Sequence, residues 1–411
     1  MSIKKYSAVA VFVLFILFSS CNTAQKNPFW NNGQPVFEVQ QLVSNERFPN
    51  VVTATDGTII ATWGSEHFRA LRSEDGGKTW GLKITVANPG FQGGGTTVDE
   101  TTGDILAFVE GGHPPAPLTV YRSRDHGKSW SPEEVTIRPN SLGHVPSMHM
   151  NEHGITLKHG IYAGRLIRPS RWYGSGNGRE FWDEHYTNAI YSDDGGKTWQ
   201  ASEPIPAFGT GEAALAELSD GTLYYNSRRH KSIDGLNPRR RYIAYSYDSS
   251  QTWENLWIDE ELPDGAQHTD YGLMAGLVRL PVDGHDILLF SNIDVPADKK
   301  DEDVPFELRT SRRFNGTVWA SFDGGKTWPV KRVVDEGSFA YSSLTAGRAG
   351  TLPEGMIYLF YESDGGGKMA RFNLAWLTGG KDWTSFLPGK SEMKPMTNDL
   401  VRPLVRACSN Q

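Results

Sequence analysis

The chain has 411 residues, a formal net charge of -7 and 44 glycines, and 38% of its residues are hydrophobic. Its length suits one large domain or two ordinary ones, and its apolar content is too high for a disordered chain. The charge provides no basic stripe that could neutralise a phosphate backbone, so we expect no nucleic-acid partner.

The first residues have the organisation of a secretory signal. Lys4 and Lys5 precede an apolar run, Ala8 to Phe18, which is too short to span a bilayer and is followed by small residues. The ending Ser-Ser-Cys resembles a bacterial lipoprotein signal, which implies that residues 1–21 are the signal and Cys21 the lipidation site. We therefore expect export to the bacterial cell envelope, where a lipid anchor in the outer membrane is the sole membrane contact. The alternative interpretation is a buried N-terminal strand or helix.

The chain contains two cysteines, Cys21 and Cys408. Acylation of Cys21 would leave no intramolecular disulfide, so stability must come from packing. Between a tether at residues 22–35 and a polar tail at residues 386–411, we expect one domain, residues 36–385.

A short unit is repeated five times along the chain. The copies read SEDGGKTW, SRDHGKSW, SDDGGKTW, SYDSSQTW and SFDGGKTW, and they begin at Ser73, Ser123, Ser192, Ser246 and Ser321. Strand-like residues precede each copy, and long helical periodicity is absent from the sequence. A recurring unit of this kind, between short strands, predicts a β-propeller of four-stranded blades.

Each copy can be explained as a self-contained turn. Asp can accept hydrogen bonds from nearby backbone N–H groups, Gly accepts a positive φ, and the final Trp is a large apolar anchor. A calcium loop is the alternative, but the unit lacks the full set of ligands and the closing Glu of such loops. We therefore interpret the repeats as scaffold and expect the chemistry elsewhere.

The S-x-D-x-G-x-T-W unit resembles the Asp-box of the sialidase superfamily, whose fold is a six-bladed β-propeller. The resemblance implies an all-β protein with six blades of four antiparallel strands. Five visible copies imply that one blade lacks the unit. The fourth copy is degraded, because Ser249 and Ser250 replace its glycines.

Three segments between the repeats resemble those that carry the superfamily's substrate-binding arginines. They read ERFPNVV, NSRRH and TSRRFNG. They imply that Arg47, Arg228 and Arg313 bind a substrate carboxylate, with Arg229 and Arg312 as neighbouring alternatives to the last two. Guanidinium groups suit this task because their planar fork matches a carboxylate. A single arginine in a β-protein is more often a surface or salt-bridge residue, so only the joint placement supports the role.

Three further segments resemble those that carry the superfamily's other functional carboxylates and its nucleophile. GTGEAALAELSDG implies a catalytic Glu212, GSFAYSSLTAG implies a nucleophilic Tyr341, and MIYLFYES puts Glu362 where a carboxylate steadies the first arginine. A sialic acid has a carboxylate on its anomeric carbon, which disfavours a charged nucleophile and favours a phenol activated by a carboxylate. Glu212 would take the proton from Tyr341, which would attack the anomeric carbon, with overall retention.

One part of the superfamily pattern is missing. A catalytic Asp normally lies on a loop ahead of the first repeat, but the segment GSEHFRALR contains none, and Asp75 belongs to the turn itself. Glu66 and His67 are the nearest groups that can transfer a proton. We therefore predict these two as catalytic candidates, with an ordinary exposed loop pair as the alternative.

The missing Asp leaves three hypotheses open. In the first, the protein is a retaining exo-glycoside hydrolase that releases terminal sialic acid from glycoconjugates. In the second, it is a propeller glycosidase or polysaccharide lyase acting on another acidic sugar, such as a different nonulosonic acid or a uronic acid. In the third, it binds acidic glycans without catalysis. We favour the first, with sialylated or other acidic glycans as partners, no cofactor or metal ion, and a monomeric protein.

Four further residues are candidates for the rim of the pocket. His144 and His149 in GHVPSMHM could face the pocket, but they lack the spacing of a metal site, which favours a structural or solvated role. Trp172 and Tyr173 could stack on a sugar, although propellers also use many aromatic residues for packing between blades.

Overall fold

The strands of the protein form six sheets around a central axis. The computed structural model describes Trp30 and residues 33–231, 239–266, 272–295 and 312–388. The innermost strands of the six sheets contact one another in a closed ring, and each pairs outward with the other strands of its own sheet. The predicted six-bladed β-propeller is confirmed. Cys21 and Cys408 lie outside the described residues.

The strands follow one another around the ring in chain order, except for the first. The first strand is β1 (Phe37–Ser44), which belongs to blade 6. Blade 1 contains β2 (Asn50–Thr53), β3 (Ile59–Trp63), β4 (Phe68–Ser73) and β5 (Ile84–Ala87). Blade 2 contains β6 (Phe91–Gln92), β7 (Thr97–Val98), β8 (Ile105–Glu110), β9 (Leu118–Ser123) and β10 (Ser131–Glu133). Blade 3 contains β11 (Thr136–Arg138), β12 (Ile155–Thr156), β13 (Leu166–Trp172), β14 (Tyr186–Ser192) and β15 (Thr198–Ala201). Blade 4 contains β16 (Thr210–Glu217), β17 (Leu223–Arg229), β18 (Arg240–Ser246) and β19 (Glu254–Pro263). Blade 5 contains β20 (Gly276–Arg279), β21 (Leu288–Ile293), β22 (Phe314–Ser321) and β23 (Val330–Ser338). Blade 6 contains β24 (Ser342–Ala346), β25 (Met356–Ser363) and β26 (Gly366–Asn373), in addition to β1.

Helical structure is confined to short segments in the part of the chain that is described. These are α1 (Leu374–Leu377) and two 3-10 turns, Arg179–Phe181 and Trp383–Phe386. No helix among the described residues is long and apolar enough to cross a membrane.

Two blades depart from the predicted four antiparallel strands. In blade 2 the innermost position is shared by two short strands, β6 and β7, which both pair with β8. In blade 3 the short strand β11 pairs in parallel with β15 at the outer edge. This fifth strand arises because the chain runs along the edge of blade 3 after β10, before it enters the centre of the blade.

The sixth blade joins the first described strand to the last. β1 pairs with β26 in antiparallel register, from Phe37 opposite Phe372 to Ser44 opposite Gly366. This pairing closes the ring. It also brings Arg47, which follows β1, close to β25.

The five repeated turns occupy equivalent places in their blades. Each turn connects the strand at the third position of a blade, counted from the centre, to the next strand outward, as the turn beginning at Ser73 connects β4 to β5. In blade 6 the outermost strand is β1, which comes from a distant part of the chain, so this connection does not exist. The topology therefore explains why six blades have five copies of the repeat.

Within each turn, side chains form hydrogen bonds with one another and with backbone N–H groups of the same turn. In the last copy, Ser321 Oγ donates to Asp323 Oδ1 at 2.7 Å and accepts from the N–H of Gly325 at 2.8 Å. Asp323 also accepts from the N–H groups of Lys326 and Thr327 and from the Thr327 hydroxyl. The turn is complete without a ligand, which supports the interpretation of the repeats as scaffold.

The fourth copy forms the same turn without glycine. Ser249 and Ser250 have φ angles of 59° and 78°, in the left-handed region that glycine normally occupies. The N–H of Ser250 still donates to Ser246 Oγ at 2.8 Å. The local hydrogen bonds therefore outweigh the conformational cost of two non-glycine residues.

The hydrophobic core lies between neighbouring sheets. One cluster combines Leu106 and Phe108 of blade 2 with Leu166 and Trp199 of blade 3. Trp199 is the last residue of the third repeated turn, and its ring meets that of Phe108 edge-on at 5.4 Å between centroids. The Trp of this turn thus packs across the boundary between two blades.

We expect Asp323→Ala to lower the free energy of unfolding by about 1–3 kcal/mol, because it removes the acceptor that closes the fifth turn. Chemical denaturation monitored by tryptophan fluorescence measures this change. Asp283→Ala is the control, because Asp283 is exposed in a tight turn. Equal stability of the two variants would contradict a structural role for the turn.

Candidate active site

A cavity of about 880 Å³ brings together residues that are distant in sequence. Six of the residues predicted for catalysis or substrate binding line it: Arg47, Glu212, Arg228, Arg313, Tyr341 and Glu362. They come from the loop after β1 and from blades 4, 5 and 6. The propeller therefore collects these side chains at a single cavity.

At the base of this cavity, a phenol, a carboxylate and a guanidinium are in mutual contact. The Tyr341 hydroxyl donates to Glu212 Oε1 at 3.3 Å. Arg228 Nη1 lies 2.5 Å from Glu212 Oε2 and 3.3 Å from the Tyr341 oxygen. All three residues are buried, with 7% or less of their surface exposed. A carboxylate at this distance can accept the phenolic proton, and the guanidinium can stabilise the resulting charge.

A second carboxylate orients the first predicted arginine. Glu362 accepts from Arg47 Nε and Nη2, both at 3.2 Å, and from the N–H of Phe48 at 2.9 Å. The Arg47 side chain remains 53% exposed, whereas that of Glu362 is 9% exposed. The buried carboxylate thus holds a guanidinium whose outer face is accessible to a ligand.

The structure distinguishes between adjacent arginines. The guanidinium of Arg313 lies 5.3 Å from the centroid of the Tyr341 ring and lines the cavity, whereas the described cavity wall does not include Arg312. Arg228 also lines the cavity, while its neighbour Arg229 lies 5.8 Å from the Tyr242 ring centroid. Successive residues of a strand point to opposite faces, which explains the separation of Arg228 from Arg229.

Glu66 and His67 are not brought together with the other predicted residues. They lie in the turn between β3 and β4, where the N–H of Gly64 donates to the Arg47 carbonyl and Glu66 accepts from Gly90 through its carbonyl. Neither belongs to the described wall of the cavity. Their role in proton transfer remains a prediction.

The cavity wall also contains residues that the sequence did not point to, among them histidines and an additional arginine. The unassigned lining residues include His113, Arg171, Trp182, His230 and Asp364. Burial lowers the pKa of His113 and, more strongly, that of His230, so both imidazoles are neutral near pH 7. His113 lies in the segment EGGHPPAP, which contains no recognisable motif.

The four rim candidates divide into two pairs. Tyr173 lines the cavity, and so does His149, for which the sequence favours a structural or solvated role. Trp172 and His144 instead stack on each other with centroids 3.8 Å apart, and neither belongs to the described wall. Arg171 is on β13, two residues before Tyr173, which directly follows the end of that strand, so strand alternation was the available signal for its orientation.

Two arginines of the cavity wall keep the buried carboxyl group of Glu212 ionised. Burial alone would raise the pKa of Glu212, but the positive charges of Arg228 and Arg171 outweigh it and lower this pKa to about 2. Glu212 is therefore ionised at all physiological pH values, which is the form that can accept a proton.

A buried segment behind the cavity holds the strands that carry these groups. Glu152 accepts from Asn50 Nδ2 at 3.1 Å through Oε2, and from Ser343 Oγ and the N–H of Leu344 through Oε1. Its own N–H donates to the carbonyl of Ala213 at 2.9 Å. These contacts lie within a few residues of the predicted Arg47, Tyr341 and Glu212, respectively. The segment thus fixes the relative positions of three blades.

We expect Glu212→Gln to lower the free energy of unfolding by about 3–5 kcal/mol at pH 7, because it removes a buried carboxylate that pairs with the Arg228 guanidinium. The pKa of Glu212 is depressed in the folded state, so its stabilisation is present above pH 4.5 and is lost as the pH falls towards 2. The difference between wild type and variant should therefore shrink over this range in denaturant melts. Exposed Glu336→Gln is the control. A pH-independent difference would contradict the charge pairing.

The chain is similar to known proteins in both sequence and fold. The family of the BNR repeat-like domain matches residues 92–359. A sialidase of Micromonospora viridifaciens is 32% identical over 84% of this chain and 55% of its own length, and a sialidase of Bacteroides fragilis is 27% identical over 77% and 60%. The chain thus spans less than two thirds of the length of these relatives.

Solved structures share the propeller fold. A Hadza microbial sialidase has a TM-score of 0.59 and 24% identity, covering 80% of this chain and 66% of the other. A leech intramolecular trans-sialidase has a TM-score of 0.60 and 16% identity, covering 84% and 71%. At these identities, the similarity to the solved structures shows the fold alone. The match to the family of the BNR repeat-like domain covers more than half of the chain. The chain belongs to the sialidase superfamily of BNR-repeat proteins.

Proposed function

We propose that the protein is a retaining exo-glycoside hydrolase that releases terminal sialic acid from glycoconjugates. The observation that carries this proposal is the contact of Tyr341, Glu212 and Arg228 at the base of a cavity that Arg47 and Arg313 also line. The curated relatives are sialidases, which supports the same substrate class.

In the proposed reaction, three arginines bind the substrate carboxylate. Arg47, Arg228 and Arg313 can each donate fork-shaped, charge-assisted hydrogen bonds, and Glu362 holds the first of them in place. Both Arg47 and Arg313 lie within 6 Å of the Tyr341 ring centroid. A carboxylate bound there would put the adjacent anomeric carbon close to the phenolic oxygen.

The Tyr341 oxygen then acts as the nucleophile. Glu212 takes the phenolic proton as the oxygen bonds to the anomeric carbon, and the bond from that carbon to the leaving oxygen breaks. The leaving oxygen takes its proton from solvent water or from one of the acid candidates Glu66 and His67. A water molecule later bonds to the same carbon and gives up a proton to solvent. The bond from this carbon to the Tyr341 oxygen breaks, its electron pair returns to that oxygen, and Glu212 returns the phenolic proton. Two displacements at one carbon retain its configuration. No step requires a cofactor or a metal ion.

A second candidate function follows from the histidines. His113 and His149 have rings 4.4 Å apart in the cavity wall, and burial lowers the pKa of both. Neutral imidazoles can remove a proton adjacent to a carboxylate, which is the chemistry of a polysaccharide lyase acting on a uronic acid. This candidate uses the same arginines for the carboxylate.

We further propose, from the N-terminal segment alone, that the protein is exported and anchored through a lipid on Cys21. We also propose that it acts as a monomer. Acidic glycans of the cell exterior would then be accessible to the cavity.

We expect Tyr341→Phe and Glu212→Ala to reduce kcat on a fluorogenic sialoside by about 1,000-fold or more, because they remove the nucleophile and its base. Tyr361→Phe is the control, because Tyr361 is buried in the same blade and its hydroxyl donates to Asp335 away from the cavity. Circular dichroism checks that each variant is folded.

Each outcome separates the candidate functions. Release of sialic acid by the wild type and its loss in both variants would support the hydrolase. Absence of release, together with an unsaturated product from a uronic-acid oligosaccharide, would replace the hydrolase with the lyase. Binding of sialylated glycans without cleavage of either substrate would contradict both.

A further inference from the structure

Arg171 approaches the cavity from the side opposite to Tyr341. It lies near the end of β13 in blade 3, whereas Tyr341 immediately precedes β24 in blade 6. Blades 3 and 6 are three positions apart in a ring of six, so these residues belong to opposite blades, and both line the cavity. A sugar whose carboxylate is bound beside Tyr341 would therefore present its distal end to Arg171.

The guanidinium of Arg171 is buried but incompletely hydrogen-bonded. The residue is 2% exposed. Its Nη2 lies 2.5 Å from Nδ1 of His185, its Nη1 lies 3.5 Å from the Tyr173 hydroxyl, and its Nε has no hydrogen bond among the described residues. His185 donates from Nε2 to the Gly176 carbonyl, so its Nδ1 serves as an acceptor for Arg171.

Some other buried arginines have carboxylate partners, whereas Arg168, in the same strand as Arg171, has none at salt-bridge distance among the described residues and does not belong to the described cavity wall. Arg228 pairs with Glu212, and Arg165, in the same blade as Arg171, pairs with Asp193 through two hydrogen bonds of 2.7 Å. Within the described ranges, Arg171 forms no ion pair at salt-bridge distance. A buried guanidinium is costly without a counter-charge, and its position in a cavity wall leaves room for a ligand to supply one.

We propose that Arg171 binds a second anionic group on the acidic sugar, at the end distal to its carboxylate. This inference rests on the proposed function and predicts that, among acidic sugars, the site prefers those with a second negative charge, such as that of a sulfate or phosphate ester, in addition to the carboxylate. The planar fork of Arg171 is suited to bidentate contact with such a group. Its stacking on Tyr173, with 4.3 Å from Cζ to the ring centroid, fixes the fork in orientation.

A different role for Arg171 is to keep Glu212 ionised through its positive charge. The two roles respond differently to substitution. Arg171→Lys retains the charge near Glu212 but loses the planar fork, whereas Arg171→Gln loses both. A role confined to Glu212 would shift the acid limb of the pH profile in Arg171→Gln and leave the choice between ligands unchanged.

Equilibrium binding of two probes tests the proposal. Calorimetry would measure Kd for N-acetylneuraminic acid and for its 9-phosphate, with wild type, Arg171→Lys, Arg171→Gln and the control Arg165→Lys. We expect the wild type and the control to prefer the phosphate ester by about ten-fold or more, the preference to fall in Arg171→Lys and to vanish in Arg171→Gln. Turnover of the fluorogenic sialoside by the same preparations reports on the proposed function separately.

The outcomes distinguish the two proposals. Equal affinity of the wild type for both probes, or a preference that survives in Arg171→Gln, would overturn the role of Arg171 while turnover of the sialoside upholds the hydrolase. If neither probe binds to the wild type and no sialoside is cleaved, both proposals fail. Loss of the preference in Arg165→Lys as well would show a general effect of buried arginines and would also overturn the inference.

Discussion

The buried carboxyl group of Glu152 is the contact on which the geometry of the cavity depends. This carboxyl group joins Asn50 of blade 1 to Ser343 and Leu344 of blade 6. The backbone N–H of Glu152 donates to the carbonyl of Ala213 in blade 4. Burial raises the pKa of Glu152 to about 8, even though the surrounding donors act in the opposite direction. A group buried at this cost is favourable only where its partners are held in place, so it links the inner strands in a defined register.

In the cavity itself, carboxylates and guanidinium groups are likewise held in place by their partners. Glu212 is fully enclosed, yet Arg228 and Arg171 lower its pKa to about 2, and Glu362 anchors Arg47 through two hydrogen bonds. A ligand with a carboxylate enters a site whose cations are already oriented, which reduces the cost of ordering them on binding. Arg171 is the group in which this pairing is incomplete, and the proposed second anion of the substrate would complete it.

Local and non-local information contributed differently to what could be predicted. The repeated turns were predictable because their hydrogen bonds join residues two to four positions apart, and even Ser249 and Ser250 preserve the turn. The number of copies also followed the topology, since blade 6 takes its outer strand from β1. By contrast, the choice of Arg228 over Arg229 required the orientation of β17, and the parallel strand β11 gave no sequence signal.

By itself, the sequence determined the repeated turns, their scaffold role and a β-propeller, because short motifs encode turns and strands through local hydrogen bonds. The candidate residues from Arg47 to Glu362 followed from the resemblance of their segments to those of the sialidase superfamily. Only the tertiary structure decided which of these side chains share a cavity. It grouped Tyr341 with Glu212 across 129 positions of the chain, left Glu66 and His67 outside the described wall, and added Arg171 and His113. Such contacts depend on how blades pack around an axis, and packing between distant segments leaves no periodic trace in the sequence.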